Sequence, residues 1–149
     1  MEELYLENWV ISFNMTERDN KLWCSWENVT DEIDNLVSII SEKNLPIDSI
    51  YGIPRGGLIP AVMLSHKLDL PFVLNPTENT LVVDDISDSG LTLGDHHLHG
   101  AIYTLTLHMR KGSKYEPTIY GKFIDSDKWI VYPWELSDSQ SIQDYKLTK

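Results

Sequence analysis

The pattern of this chain predicts an α/β fold with a mainly parallel central sheet flanked by helices. Three observations lead there. Short apolar runs alternate with segments whose apolar residues recur at helical spacing. The turns between them carry Gly, Pro, Asp and Ser, which favour tight connections. Strands alternating with helices pack as parallel strands joined by crossover helices. At 149 residues the chain makes one ordinary domain, 1–149, with room for a real core. Residues 1–25 read as an N-terminal extension and 136–149 as a polar tail. No internal repeat or low-complexity tract is visible.

Each element has its own signal. Residues 4–13 are rich in β-formers and predict a strand; Arg18-Asp19-Asn20-Lys21 predicts a turn. A helix follows, with Thr30 as its expected cap and Asp31 and Glu32 at its positive end. Ile33, Leu36, Val37 and Ile40 form its apolar stripe, and Asn44 and Pro46 stop it. Residues 48–53 read as the first sheet strand. Pro54-Arg55-Gly56-Gly57 turns into a helix over 58–68, where Pro60 is tolerated only in the first turn. Residues 70–74 predict a second short strand, 75–79 a turn and 81–84 a third strand. A short helix is expected over 90–97, broken by Gly100, then a fourth strand over 101–108 and extended pieces over 119–124 and 129–132.

Composition removes several classes. An apolar fraction of 42% is that of a globular protein, and no apolar run reaches the roughly 20 residues that span a bilayer. Met1-Glu2-Glu3 lacks the basic flank of a signal peptide. Cys24 stands alone, so an internal disulfide is impossible, and a reducing, cytoplasmic setting is expected. A net charge of −11 argues against a nucleic-acid surface, which would be basic. Neither nucleic acid nor membrane is expected as a partner.

The chemistry concentrates in Leu81-Val82-Val83-Asp84-Asp85-Ile86-Ser87-Asp88-Ser89-Gly90-Leu91-Thr92. The apolar residues end a buried strand, and two adjacent carboxylates sit at its C-terminal edge. In open α/β sheets ligands bind beyond that edge. The Ser-Asp-Ser-Gly turn then presents backbone N–H groups to an anion at a helix start. Carboxylates for hydroxyl groups or a metal, beside amides for a phosphate, suit a phosphorylated sugar. In so acidic a chain, the groups that accept a polyanion must be local: loop amides, Arg55 and a divalent cation.

This stretch resembles the phosphoribosyl-pyrophosphate (PRPP) loop of the type I phosphoribosyltransferases, whose fold is Rossmann-like. Upstream, Gly52-Ile53-Pro54-Arg55-Gly56-Gly57 resembles the family's pyrophosphate loop. Downstream, Trp129-Ile130-Val131-Tyr132-Pro133-Trp134-Glu135 resembles the base-binding segment of bacterial xanthine-guanine phosphoribosyltransferases. The resemblance implies transfer of a phosphoribosyl group from PRPP to guanine, xanthine or hypoxanthine, with Mg²⁺ as cofactor. It also implies a homo-oligomer, dimer or tetramer.

The resemblance assigns roles residue by residue. Amides from Asp88 to Thr92 (Ser89, Gly90 and Leu91 between them), with the hydroxyls of Ser89 and Thr92, would hold the 5′-phosphate. Asp84 and Asp85 would serve the ribose hydroxyls, Asp85 also helping to hold Mg²⁺. Arg55, Gly56 and Gly57 would cradle pyrophosphate, where relatives often carry a non-proline cis peptide. Asp88 would take the proton as the purine nitrogen attacks. Trp129 would stack on the base, with the backbone near Ile130 on the purine edge. Arg110, or the adjacent Lys111, falls where relatives place a lysine on the 6-keto oxygen. Trp134 and Glu135 read as structural, and His96, His97 and His99 as surface residues.

One departure stands out. The family's long flexible hood lies between the second and third strands, and residues 75–80 are too short to hold one. This keeps a second reading open, a non-catalytic PRPP- or nucleotide-binding regulatory protein on the same fold. A receiver-type phosphotransfer domain is a third reading, but it gives Arg55-Gly56-Gly57 no role and lacks a separate phosphoacceptor Asp on a later strand.

Overall fold

The structure, a computed structural model, describes residues 15–136. The strand expected over 4–13 and the tail beyond 136 lie outside the described residues. Two sheets are present. The larger has four parallel strands in the order β3–β4–β5–β6: β3 (Ser49–Gly52), β4 (Thr80–Ser87), β5 (Tyr103–Arg110) and β6 (Ile119–Ile124). The α/β class and the parallel sheet are those expected from the sequence.

Among the described residues three helices cover this sheet. α1 (Trp26–Lys43) and α2 (Leu58–Leu68) pack on one face, and α3 (Leu91–Leu98) on the other. Alternation along β4 serves both layers. Leu81 and Val83 join Ile33, Leu36, Leu64, Leu105 and Leu107 in the main core, while Val82 joins Ile53, Leu93 and Ala101 beneath α3. A strand buried on both faces reads as a continuous apolar run, which is why 81–83 carries no polar residue.

α1 starts earlier than the sequence suggests. Ser25 is its N-cap: its Oγ accepts from Asn28 N at 3.0 Å, and Asn28 Oδ1 accepts from Ser25 N at 2.9 Å. Thr30 instead lies inside the helix and donates to the Trp26 carbonyl. The reciprocal cap satisfies two amides that would otherwise be orphaned, and it adds Val29 to the buried stripe. Asn44 closes the helix in the left-handed region. Residues 70–74 do not form a full strand. Phe72 makes a single parallel bridge to Ile50, with Ile50 N donating to Pro71 O and Val73 N to Ile50 O. Pro71 has no N–H, and the segment's outer side is exposed, so nothing extends the ladder.

The second sheet is built around the N-terminal segment. β1 (Thr16–Arg18) and β2 (Lys21–Trp23) form a hairpin through Asp19 and Asn20, both at positive φ. β2 then pairs in parallel with β7 (Trp129–Val131). Lys128, just before β7, is ion-paired with Glu17 of β1. The chain segment that leads into α1 is thus stitched to the strand expected to meet the base.

Candidate active site

A cavity of about 550 Å³ opens at the C-terminal edge of the parallel sheet. Two strand-to-helix loops and a wall from β5 and β7 converge on it. The first follows β3. Gly57 N donates to Ile53 O, and Ile53 N to Val83 O, which pins the turn against β4. The Pro54–Arg55 peptide is cis. Arg55 and Gly56 line the cavity; Gly57 lies behind them, packed on the Val83 carbonyl.

The second loop is the end of β4. Asp84 is 5% exposed, and its Oδ1 accepts from Asp85 N at 2.9 Å. Asp85 Oδ1 accepts from Ile86 N at 2.7 Å, and the rest of that carboxylate rests against Gly56. Only a residue without a side chain permits this contact, because a Cβ on Gly56 would stand 2.1 Å from Asp85 Oδ2.

Asp88, Ser89 and Gly90 then turn into α3. Gly90 has φ 85°, and a Cβ there would meet Tyr115 N at 2.4 Å. Ser89 Oγ accepts from Leu91 N, and no side chain caps α3. With Leu91 N taken by Ser89, the amides of Thr92 and Leu93 are the helix-start donors left for an anion. A neighbouring segment braces the turn: Lys114 N donates to Ser89 O, and Ser87 Oγ bonds Ser113 Oγ and Tyr115 O, both at 2.8 Å. This brace from residues 113–115 has no local signature in the sequence.

The third wall comes from β5 and β7. Trp129 and Ile130 line the cavity, as do Tyr132, Trp134 and Glu135. Tyr132 and Trp134 stack at 5.0 Å, and Trp26 tilts against Trp134. The indole nitrogens of Trp129 and Trp134 are buried without a hydrogen-bond partner among the described residues. Glu135 is structural as expected in one respect, since Oε1 accepts from Tyr132 N. Sequence reasoning missed Tyr132 as a wall residue. Its hydroxyl donates to the Asp85 carbonyl at 3.4 Å and lies 2.8 Å from His108 Nδ1. Burial, with Lys122 and Arg110 adding to it, pushes the His108 imidazole down to about 3, so it is neutral. Burial first, then Asp85, pushes the Tyr132 phenol well up from its ordinary value.

Arg110 reaches the cavity, with its Nε and Nη1 donors engaged. Nε donates to Asp88 Oδ1 at 2.8 Å, and Nη1 donates to the carbonyls of Ser126 and Lys128. Lys111 turns away and pairs with Asp125 at 3.6 Å, so of the two candidates Arg110 is the one at the wall. Of the residues expected for PRPP, Arg55, Gly56, Asp84, Asp85, Asp88, Ser89, Gly90 and Thr92 line one cavity. Gly57 and Leu91 shape it from outside. On α3, His97 Nδ1 meets Ala101 O, His99 Nδ1 meets Asp95 O, and His96 lies beside Tyr51. Among the described residues no three of His, Cys, Asp or Glu cluster as metal ligands, and no helix is long and apolar enough to cross a membrane.

Comparison with known proteins agrees with this geometry. No family model matches the chain. The xanthine-guanine phosphoribosyltransferase of Cereibacter sphaeroides is 26% identical over 125 residues, 66% of this chain and 74% of that one. The enzyme of the same name from Gluconobacter oxydans is 24% identical over 139 residues, 74% and 82% of the two chains. Among solved structures, a purine phosphoribosyltransferase from Pyrococcus horikoshii superposes with TM-score 0.70 at 29% identity, covering 83% of this chain and 99% of that one. A xanthine-guanine-hypoxanthine phosphoribosyltransferase from Helicobacter pylori shares the fold with TM-score 0.61 at 23% identity, covering 85% and 96%. In sheet order, loops and overall likeness the chain is similar to the purine phosphoribosyltransferases. Among curated proteins the likeness is to enzymes named xanthine-guanine phosphoribosyltransferase.

Proposed function

We infer that the protein transfers the 5-phosphoribosyl group of PRPP to a 6-oxopurine (guanine, xanthine or hypoxanthine) and releases pyrophosphate. One observation carries this reading: a single cavity gathers the Arg55-Gly56 turn, the Asp84-Asp85 pair, the loop over 88–92 and Trp129. Amides of that loop and the hydroxyls of Ser89 and Thr92 receive the 5′-phosphate. Asp84 and Asp85 accept from the ribose diol. Arg55 and the Gly56 backbone receive the pyrophosphate, and Trp129 supplies an aromatic face for the purine. A purine ring nitrogen attacks the anomeric carbon as the bond to the pyrophosphate oxygen breaks. Asp88 accepts the proton that this nitrogen sheds. Positive charge gathers on the ribose meanwhile, so the residues act mainly by orientation and by electrostatic stabilisation.

Magnesium fits the donor set, since Asp85 offers a hard carboxylate oxygen beside the pyrophosphate turn. When bound, the ion would neutralise charge on the leaving pyrophosphate. The buried, free Cys24 suits a reducing compartment such as the cytoplasm. The oligomer we expect is a dimer or tetramer, which sedimentation would measure.

Pyrophosphate release with PRPP, Mg²⁺ and each purine in turn tests the reading. Release with a 6-oxopurine, abolished by chelation of the metal, is the expected result. PRPP binding without release for any base would favour the regulatory reading instead. The observation behind that second reading is the short connection before β4, where the exposed residues 74–79 are too few to close over the site.

A further inference from the structure

We propose that Arg110 is a positioning residue: it ties Asp88 of the phosphate loop to the 126–128 loop that leads into the base-binding strand, and so couples the two halves of the site. The inference rests on the transferase reading and adds a role to a side chain that the sequence places on the base. The Arg110 side chain is only 12% exposed, so its bonds form away from bulk water. Its guanidinium is a planar fork with donors in fixed directions. One arm holds Asp88 by a single oxygen, Oδ1, at 2.8 Å. The other holds the carbonyls of Ser126 and Lys128. The carboxylate and the two carbonyls are all acceptors, so they cannot bond one another, and the guanidinium is the donor that bridges them.

Backbone pairing reaches only part of the way: Ser87 pairs with Met109 and Arg110 with Ile124, but no ladder includes Asp88 or residues 126–128. Asp88 follows β4 in the four-stranded sheet, whereas Trp129 and Ile130 lie in β7 of the other sheet. A purine held by Trp129 must still present its nitrogen to the Asp88 carboxylate. The Arg110 fork fixes Asp88 relative to the strand that holds the purine, and Oδ1 alone is taken, which leaves Oδ2 for the substrate.

The test compares two probes in titration calorimetry. Ribose 5-phosphate spans the phosphate half only, and guanosine 5′-monophosphate spans both. Arg110→Met and Arg110→Lys are expected to weaken the nucleotide roughly tenfold or more while leaving ribose 5-phosphate nearly unchanged. In turnover the same variants should lower kcat and raise the KM for purine, with the KM for PRPP little moved. The lysine variant keeps the charge and most of the stem, so it remains informative if the methionine variant folds poorly. Equal weakening of both probes, or a lysine variant that binds the nucleotide like the parent, would overturn the proposal. A ligand-free arm measures amide exchange over 126–130, expected to quicken in Asp88→Ala as well as in Arg110→Met. Unchanged exchange there in Asp88→Ala would also overturn it. A parent that binds the nucleotide but transfers to no base would remove the transferase reading and leave the clamp standing. If the parent binds neither probe, the exchange arm decides.

Discussion

Gly56→Ala should disable the transferase without unfolding it. A Cβ at this position stands 2.1 Å from Asp85 Oδ2 and 2.6 Å from Asp85 Cγ, far inside ordinary contact. The carboxylate must therefore retreat. Its Oδ1 is held by Ile86 N at 2.7 Å, so retreat also breaks that bond or drags the strand end with it. A displacement of about 1 Å in a group that orients substrate lowers a rate by roughly a hundredfold. The loss should fall on kcat/KM for PRPP, because the proposed role of Asp85 is toward the ribose and the leaving group. Stability should change little, since a half-buried side chain can swing into the cavity. Gly57→Ala is the contrasting variant. Its Cβ would meet Val83 O at 2.2 Å and Ile53 O at 2.8 Å, which are backbone atoms of packed elements and cannot swing. It should lose about 1–3 kcal/mol of stability, the usual range for an overpacked core. The assay is initial-rate pyrophosphate release with varied PRPP at saturating guanine, beside a thermal melt of each variant. A Gly56→Ala enzyme with the parent's kcat/KM for PRPP would refute the contact argument.

Two further outcomes follow from the charges. Glu32 is 3% exposed on α1 over Gly121, and burial pushes its carboxyl up to about 7 from 4.5. The folded state then binds this proton more tightly than the unfolded chain, so stability is greatest below 4.5 and falls by about 3 kcal/mol as pH rises to 7. Glu32→Gln should abolish that decline and be the more stable protein at pH 8 in urea titrations; equal stability there contradicts the assignment. His108 works in the opposite sense: held down at about 3, it lets the unfolded chain take a proton first below 6.5, so stability falls with acid. The two slopes oppose each other between 4.5 and 6.5, and Glu32→Gln should unmask the His108 decline. Arg55→Ala should lower kcat/KM for PRPP about tenfold to a hundredfold with the KM for purine nearly constant, as expected for loss of a charge-assisted contact to a phosphate. A larger change in the purine KM would place Arg55 elsewhere in the cavity.

The sheet and its loops are legible in the sequence where local chemistry is unambiguous. α2 runs over 58–68 as its pattern predicts, because glycines stop the turn before it and Pro60 fits only a first turn. The loop after β4 is legible because a phosphate site needs small residues beside an apolar strand. The start of α1 misleads, since Ser25 and Thr30 are both good caps, and only the reply from Asn28 selects the first. The strand expected over 70–74 has the right residues but meets only Ile50. Long-range partnerships leave no local trace. Spacing locates Arg110 at the cavity, but cannot say that Asp88, Ser126 and Lys128 occupy its donors. The same holds for the Ser87–Ser113 brace and for the hairpin of residues 16–23 beside β7.

That hairpin has a practical consequence. The residues proposed to handle the sugar phosphate and the strand proposed to meet the base belong to separate sheets, one of four strands and one of three among the described residues. Substitutions along Lys21–Trp23 would act on Trp129–Val131 through their shared ladder, and the Arg110 bonds would carry a tilt of that strand on to Asp88.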